Sequence, residues 1–159
     1  MSHLCNYQHI VFRTYKSERT IPDLAKFVML KYIYSLCDSH NIHVCNANAH
    51  RNHVHLLLGI PATMSIEEVV TLIKTNTAKV FKGHRLFPDF KGWGKKYGSF
   101  SVSYSHVDVV KDYIANQEKH HEGTSFYEEF LRIVERNGGV INQYFEQDFG
   151  KDDPETDYV

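Results

Sequence analysis

Two histidines set one residue apart are the first place in this sequence where side-chain type and spacing could do chemistry. The 159-residue chain holds 11 histidines, and histidine is both the commonest metal ligand and the side chain suited to work near neutral pH. His53 and His55 bracket Val54 in a segment, 53–60, whose other residues are almost all aliphatic. Alternate side chains of an extended strand share a face. Both imidazoles can then converge on one divalent ion while Val54 packs the other way, with Leu56, Leu57 and Leu58 holding the strand in the core. The competing reading is a histidine pair that is exposed or satisfied by hydrogen bonds in the core, which an H-x-H motif alone does not exclude.

A second cluster lies about 50 residues on. Tyr113 and Gln117 are four apart and share a face if that segment is helical. His106, Val110, Tyr113, Gln117 and His120 extend the same stripe. A helix packed only on a core would carry aliphatics there. This stripe is largely polar, so it either faces a site or leaves a tyrosine at the core edge with polar neighbours in water.

The elements that must position these groups follow from periodicity and punctuation. Residues 6–14 read as a first strand. Pro22 opens a helix to about residue 40, with Leu24, Phe27, Leu30, Tyr34 and Cys37 expected on its buried face. Residues 42–50 and 53–60 read as two strands joined by a tight connection at Arg51-Asn52. Ser65-x-x-Glu68 is a capping box that starts a helix to about residue 82. Residues 83–98, rich in glycine, are a loop, and 99–104 alternate as a fourth strand. Ser105-x-x-Asp108 starts a helix to about residue 121, and Ser125-x-x-Glu128 starts another, ended by Gly138-Gly139. The order β-α-β-β-α-β is the α+β, ferredoxin-like split βαβ plan: an antiparallel sheet with helices on one face, plus two C-terminal helices. We expect one domain over 1–147 and a flexible acidic tail over 148–159.

Net charge is −1, but residues 1–104 carry +7 and residues 105–159 carry −8. Within the basic part, Lys74, Lys79, Lys82, Arg85, Lys91, Lys95 and Lys96 interleave with Phe81, Phe87, Phe90, Trp93 and Tyr97. Cations neutralise phosphates and aromatic faces stack on exposed bases. Lys74, Lys79, Lys82, Arg85, Trp93, Lys95 and Lys96 are therefore candidate DNA contacts. The alternative is a solvated helix end and polar loop with the aromatics packed beneath.

Other classes are disfavoured. Three cysteines with no C-x-x-C pair give no disulfide framework, which suits a reducing cytoplasm. No run of 18 apolar residues and no signal-peptide form at the N-terminus are present, so a cytoplasmic protein with no membrane partner is expected. There is no Gly-rich phosphate loop for an ATPase, no acidic triad for a DDE-type transposase, and no RNP1-like run for an RRM.

Two stretches together carry a resemblance. NHVHLLLGI (52–60) is similar to the His-hydrophobic-His strand of HUH nucleases. KYGSFSVS (96–103) followed by VVKDYIANQEKHH (109–121) resembles the tyrosine-helix region of the single-tyrosine transposases that mobilise insertion sequences as single strands. The opening YQHIVFRTY (7–15) is similar to that family's first strand, so the resemblance spans about 6–145. It implies that Tyr113 is the nucleophile and that His53, His55 and Gln117 ligate a divalent metal, Mg²⁺ or Mn²⁺. Asn52, which stands where relatives often carry an acid, and His120 and His106 would support the site from behind.

The implied reaction is attack by Tyr113 on a phosphodiester of single-stranded DNA, giving a 5′-phosphotyrosine and a free 3′-OH. The covalent bond conserves the energy needed to reseal. Free tyrosine titrates near pH 10, so its deprotonation needs help from the metal or a neighbour. Hairpin ends are the expected substrate, in a prokaryotic, nucleoid-associated setting. The expected assembly is a homodimer in which one subunit's tyrosine helix can complete the other's site in trans. The alternatives are a domesticated REP-associated hairpin nuclease, a nucleic-acid-binding module without catalysis, and a small metal hydrolase that attacks with water.

Overall fold

A computed structural model of the chain describes residues 3–116 and 125–139. Gln117, His120 and the expected tail over 148–159 lie outside these residues.

Four strands form one antiparallel sheet: β1 (Tyr7–Arg13), β2 (His43–Ala49), β3 (His53–Gly59) and β4 (Gly98–Val102), in the order β2-β3-β1-β4. The helices are α1 (Lys26–Asp38), α2 (Ile66–Phe81), α3 (Val107–Ala115) and α4 (Phe126–Arg136). The architecture is the α+β plan expected from the element order.

The two middle strands are the most apolar, because they are covered on both faces. Ile10 and Phe12 of β1 and Val54, Leu56 and Leu58 of β3 point to the side of α1 and α2, where they join Met29, Ile33, Val69, Ile73 and Phe81 in the main core. Val11 points the other way, into a smaller cluster with Phe126, Phe130 and Val134 of α4. His9, Val11 and Arg13 share this second face with His53 and His55. The register pairs Val11 with His55 and Arg13 with His53, and directly opposed side chains lie on one face of the sheet.

Local chemistry fixes the helix ends. Ser65 and Ser125 each accept from the backbone N–H three residues on, and Glu68 and Glu128 reach back to the cap N–H. Helix α4 ends in a Schellman turn: Gly138 N–H bonds Glu135 O, Gly139 N–H bonds Val134 O, and Gly138 has φ +75°. That left-handed angle is one glycine adopts freely.

Two expectations about helices change. Helix α1 buries Lys26, Met29, Leu30, Ile33 and Cys37, whereas Leu24 and Phe27 are 98% and 67% exposed and Tyr34 is exposed too. Leu30 and Cys37 lie on the buried face as expected, and Phe27 and Tyr34 do not, because this helix is apolar nearly all round and its packing face is chosen by contact with β2 and α2. Ser105 does not cap α3: a 3-10 turn over Tyr104–His106 precedes the helix, with His106 at the cap position and no side-chain cap bond.

Candidate active site

The second sheet face is where the chemistry-bearing residues meet. β3 is held on both sides by strands, so His53 and His55 project from backbone that cannot shift independently. Both are about 1% exposed. A polar group buried this deeply needs partners, and each ring has one behind it. His53 Nδ1 is 2.7 Å from Asn52 Oδ1, and His55 Nδ1 is 2.9 Å from His9 Nε2. In front, the two Nε2 atoms meet one carboxylate. His53 Nε2 lies 3.4 Å from Glu129 Oε2, and His55 Nε2 lies 3.2 Å from Glu129 Oε1.

Glu129 arrives from α4. It sits three residues after Phe126 and four before Ile133, so it shares the helix's buried stripe and is itself 5% exposed. The same carboxylate accepts a 2.6 Å hydrogen bond from the Tyr113 hydroxyl through Oε1. Tyr113 stands edge-on to both His9 and His55, with ring centroids 6.1 and 6.0 Å away.

Two asparagines seat the helix that carries Tyr113. Asn46 Nδ2 donates to Lys111 O (3.0 Å) and Asn48 Nδ2 donates to Ile114 O (2.9 Å). A register shift between Val44 and Asn46 interrupts the β2–β3 ladder at this point. Irregularities of this kind re-aim side chains next to sites.

The donor set suits a divalent ion. One ligand atom each from His53, His55 and Glu129 lies within 4.8 Å of the others, and all three residues are buried. Two imidazoles and a carboxylate form a borderline ligand set that suits first-row divalent ions, with the carboxylate also acceptable to Mg²⁺. His9 is pushed down to about 3, first by burial and then by the adjacent His55, so its ring is neutral at neutral pH and its Nε2 can accept a hydrogen bond from His55 Nδ1–H.

Among families of known proteins, the model described as "Transposase IS200 like" matches residues 2–117. The chain belongs to that family. Its members are DNA-processing enzymes of the transposase class. No curated protein matches the chain. Two solved structures share the fold. A putative transposase from Deinococcus radiodurans R1 aligns with TM-score 0.56 and 18% identity, over 74% of this chain and 95% of its own. A REP-associated tyrosine transposase bound to a REP hairpin aligns with TM-score 0.55 and 14% identity, over 78% of this chain and 76% of its own.

Against this family background, the residues singled out in the sequence fall into three groups. His53, His55, Asn52 and Tyr113 meet at one point. His106 does not join them, because its ring bonds Ser103 and Ser105 at the start of α3. Of the expected DNA contacts, Lys79, Lys82, Arg85, Lys95 and Lys96 are exposed, but two others are structural. Trp93 is fully buried, donates its indole N–H to Thr77 Oγ1 at 2.8 Å and packs on Phe12 and Phe90. Lys74 Nζ bonds the carbonyls of Gly94 and Lys96 and lies over the Phe12 ring. The loop aromatics are therefore largely core, and Lys74 ties the loop down.

Three residues of the site carried little sequence signal. Glu129 reads as one more first-turn acid next to the capping Glu128, and only its place on the apolar stripe marks it. His9 is one histidine among many until β1 is placed beside β3. Arg13 is 3% exposed and bonds Ser17 Oγ, and its position opposite His53 depends on strand register.

Proposed function

We propose that this chain is a metal-dependent single-strand DNA transposase that nicks and rejoins DNA through a 5′-phosphotyrosine on Tyr113 and recognises hairpin ends. The observation that carries the reading is the placement of Tyr113, His53 and His55 around the single carboxylate of Glu129. A water-attacking hydrolase would leave a tyrosine hydroxyl aimed into the ligand set without a role.

His53 Nε2, His55 Nε2 and Glu129 would hold the ion, Mg²⁺ or Mn²⁺, with Gln117 proposed as a further ligand. When bound, the ion supplies positive charge to a non-bridging phosphate oxygen and orients the group for in-line attack. The protein's own groups do the rest. A ligating Nε2 must be unprotonated, which places the ring proton on Nδ1. Asn52 Oδ1 accepts that proton's hydrogen bond from His53, and neutral His9 accepts the one from His55. Arg13 adds a buried positive charge on the same face, beside His53 in register.

In the reaction the Tyr113 oxygen forms a bond to phosphorus and the bond from phosphorus to the 3′ oxygen breaks. The phenolic proton passes to Glu129, and the departing 3′ oxygen takes up a proton to become a hydroxyl. Attack by a second DNA 3′-OH reverses the sequence and frees the tyrosine. Within one chain Tyr113 stands beside His55 and bonds Glu129, which supports supply of the nucleophile in cis. The proposed assembly is a homodimer, in which the tyrosine helix of one subunit could instead complete the other's site in trans. Lys79, Lys82, Arg85, Lys95 and Lys96 would grip the DNA backbone.

The solved relative bound to a REP hairpin supplies the substrate class to try first. Labelled hairpin DNA, the same strand annealed to its complement, and EDTA controls test the reading. Nicking confined to the single-stranded substrate and dependent on Mg²⁺ or Mn²⁺ is expected. Metal-independent cleavage or preferential cutting of duplex would contradict it, and binding without cleavage of any single strand would favour the non-catalytic binding module.

A further inference from the structure

A cleft of about 540 Å³ opens beside Tyr113, between the β4 edge of the sheet, α3 and the end of α4. This is within the range of small-ligand sites. Tyr113 and His9 form one end of it, so the cleft and the proposed site share a wall. Its sides are apolar, including Phe100, Val102, Val109 and Ile133. Val109 is 63% exposed, so its side chain is open to an incoming group. The rim is polar, with Ser101, Ser103 and Asn137, and its one charged residue is Arg136. Among the described residues no carboxylate lines it.

From this we infer that the cleft is a nucleobase pocket, taking one unpaired base of the strand that Tyr113 attacks, from a nucleotide flanking the scissile phosphate. The inference rests on the reading of Tyr113 as the nucleophile. A strand whose phosphate lies at the tyrosine must put its neighbouring bases within one nucleotide of that point, and the cleft is a concave surface there. Its apolar walls and the Phe100 ring suit a flat base, which gains from stacking whatever its sequence. Arg136 suits the next phosphate. A paired base could not enter, because its flat faces and edge are already occupied in the duplex. The pocket would therefore add selection for single strands at the cut, independent of the exposed lysines near residues 79–96.

The test uses the full chain, Mn²⁺ and a randomised single-stranded oligonucleotide pool. One captured strand is then remade with an abasic site at each position near the cut in turn. Wild-type protein should lose about tenfold in capture when one flanking base is missing, the size of one lost base–aromatic stack. Val109→Trp, which fills the cleft, and Arg136→Glu, which reverses its charge, lie at exposed positions. Each should capture the intact strand about tenfold less well, with unchanged thermal melting; Val109→Trp should become indifferent to the missing base, whereas Arg136→Glu should keep its sensitivity. Capture by wild type that is insensitive to both flanking abasic sites, or a Val109→Trp variant that keeps full sensitivity, would overturn the pocket and leave the phosphotyrosine reading intact. A pool never captured by wild type would overturn that reading and the pocket with it.

Discussion

The Tyr113 hydroxyl donates a 2.6 Å hydrogen bond to Glu129 Oε1, and the same oxygen lies 3.2 Å from His55 Nε2. One carboxylate thus links the proposed nucleophile to the proposed metal ligands. Glu129→Ala should lower Mn²⁺ affinity by at least about tenfold, as loss of a supporting or ligating group does. It should also release Tyr113 from its fixed position. Glu129→Gln can still accept from Tyr113 but offers no charge to an ion. Isothermal titration with Mn²⁺ should therefore show weakened binding in both variants. Unchanged Mn²⁺ affinity in both would remove Glu129 from the metal site.

The groups behind the histidines should matter almost as much. Asn52→Ala and His9→Ala each remove the acceptor that fixes one ring's proton on Nδ1. A loss of about 10- to 100-fold in metal affinity is expected for partners of this kind. Mn²⁺ titration monitored by electron paramagnetic resonance reads it directly. Wild-type affinity in both variants would mean the imidazoles are oriented by packing alone.

Asn46 and Asn48 hold the tyrosine helix by its backbone, at Lys111 O and Ile114 O. Each hydrogen bond is worth about 1 kcal/mol net, so Asn46→Ala and Asn48→Ala should loosen α3 locally. Faster amide exchange along α3, slower strand capture and unchanged Mn²⁺ affinity are the expected signature. Loss of metal affinity in step with capture would argue for a general disturbance of the fold.

The pattern of what could be read from the chain has a physical basis. His53 and His55 were legible because strand period is strict and β3 is apolar throughout. The helix starts at Ser65 and Ser125 were legible because a capping box is local chemistry. The face of α1 was not, since tertiary contact, not periodicity, decides which side of a broadly apolar helix is buried. Trp93 and Lys74 looked like nucleic-acid contacts because a basic and aromatic loop has the same composition whether it stacks on bases or on Phe12. Glu129 was hidden because a first-turn acid is favoured by the helix dipole in any helix, and its burial against two histidines requires α4 to cross the sheet.

That crossing depends on Gly98. A Cβ there would stand 2.6 Å from Phe130 Cε2 and 2.9 Å from Phe100 Cε2, and Phe130 is 2% exposed and adjoins Glu129. Gly98→Ala should cost about 1–3 kcal/mol through overpacking, seen as a lower melting temperature and weaker Mn²⁺ binding together. Wild-type melting would show that α4 can move away freely.

The central claim is that Tyr113 carries the DNA. Wild-type protein incubated with single-stranded hairpin DNA and Mn²⁺, then digested and analysed by peptide mass spectrometry, should show a nucleotide linked to the peptide containing Tyr113. Tyr113→Phe should show none. A covalent adduct that persists in Tyr113→Phe, or that maps to another residue in the wild type, would contradict the account.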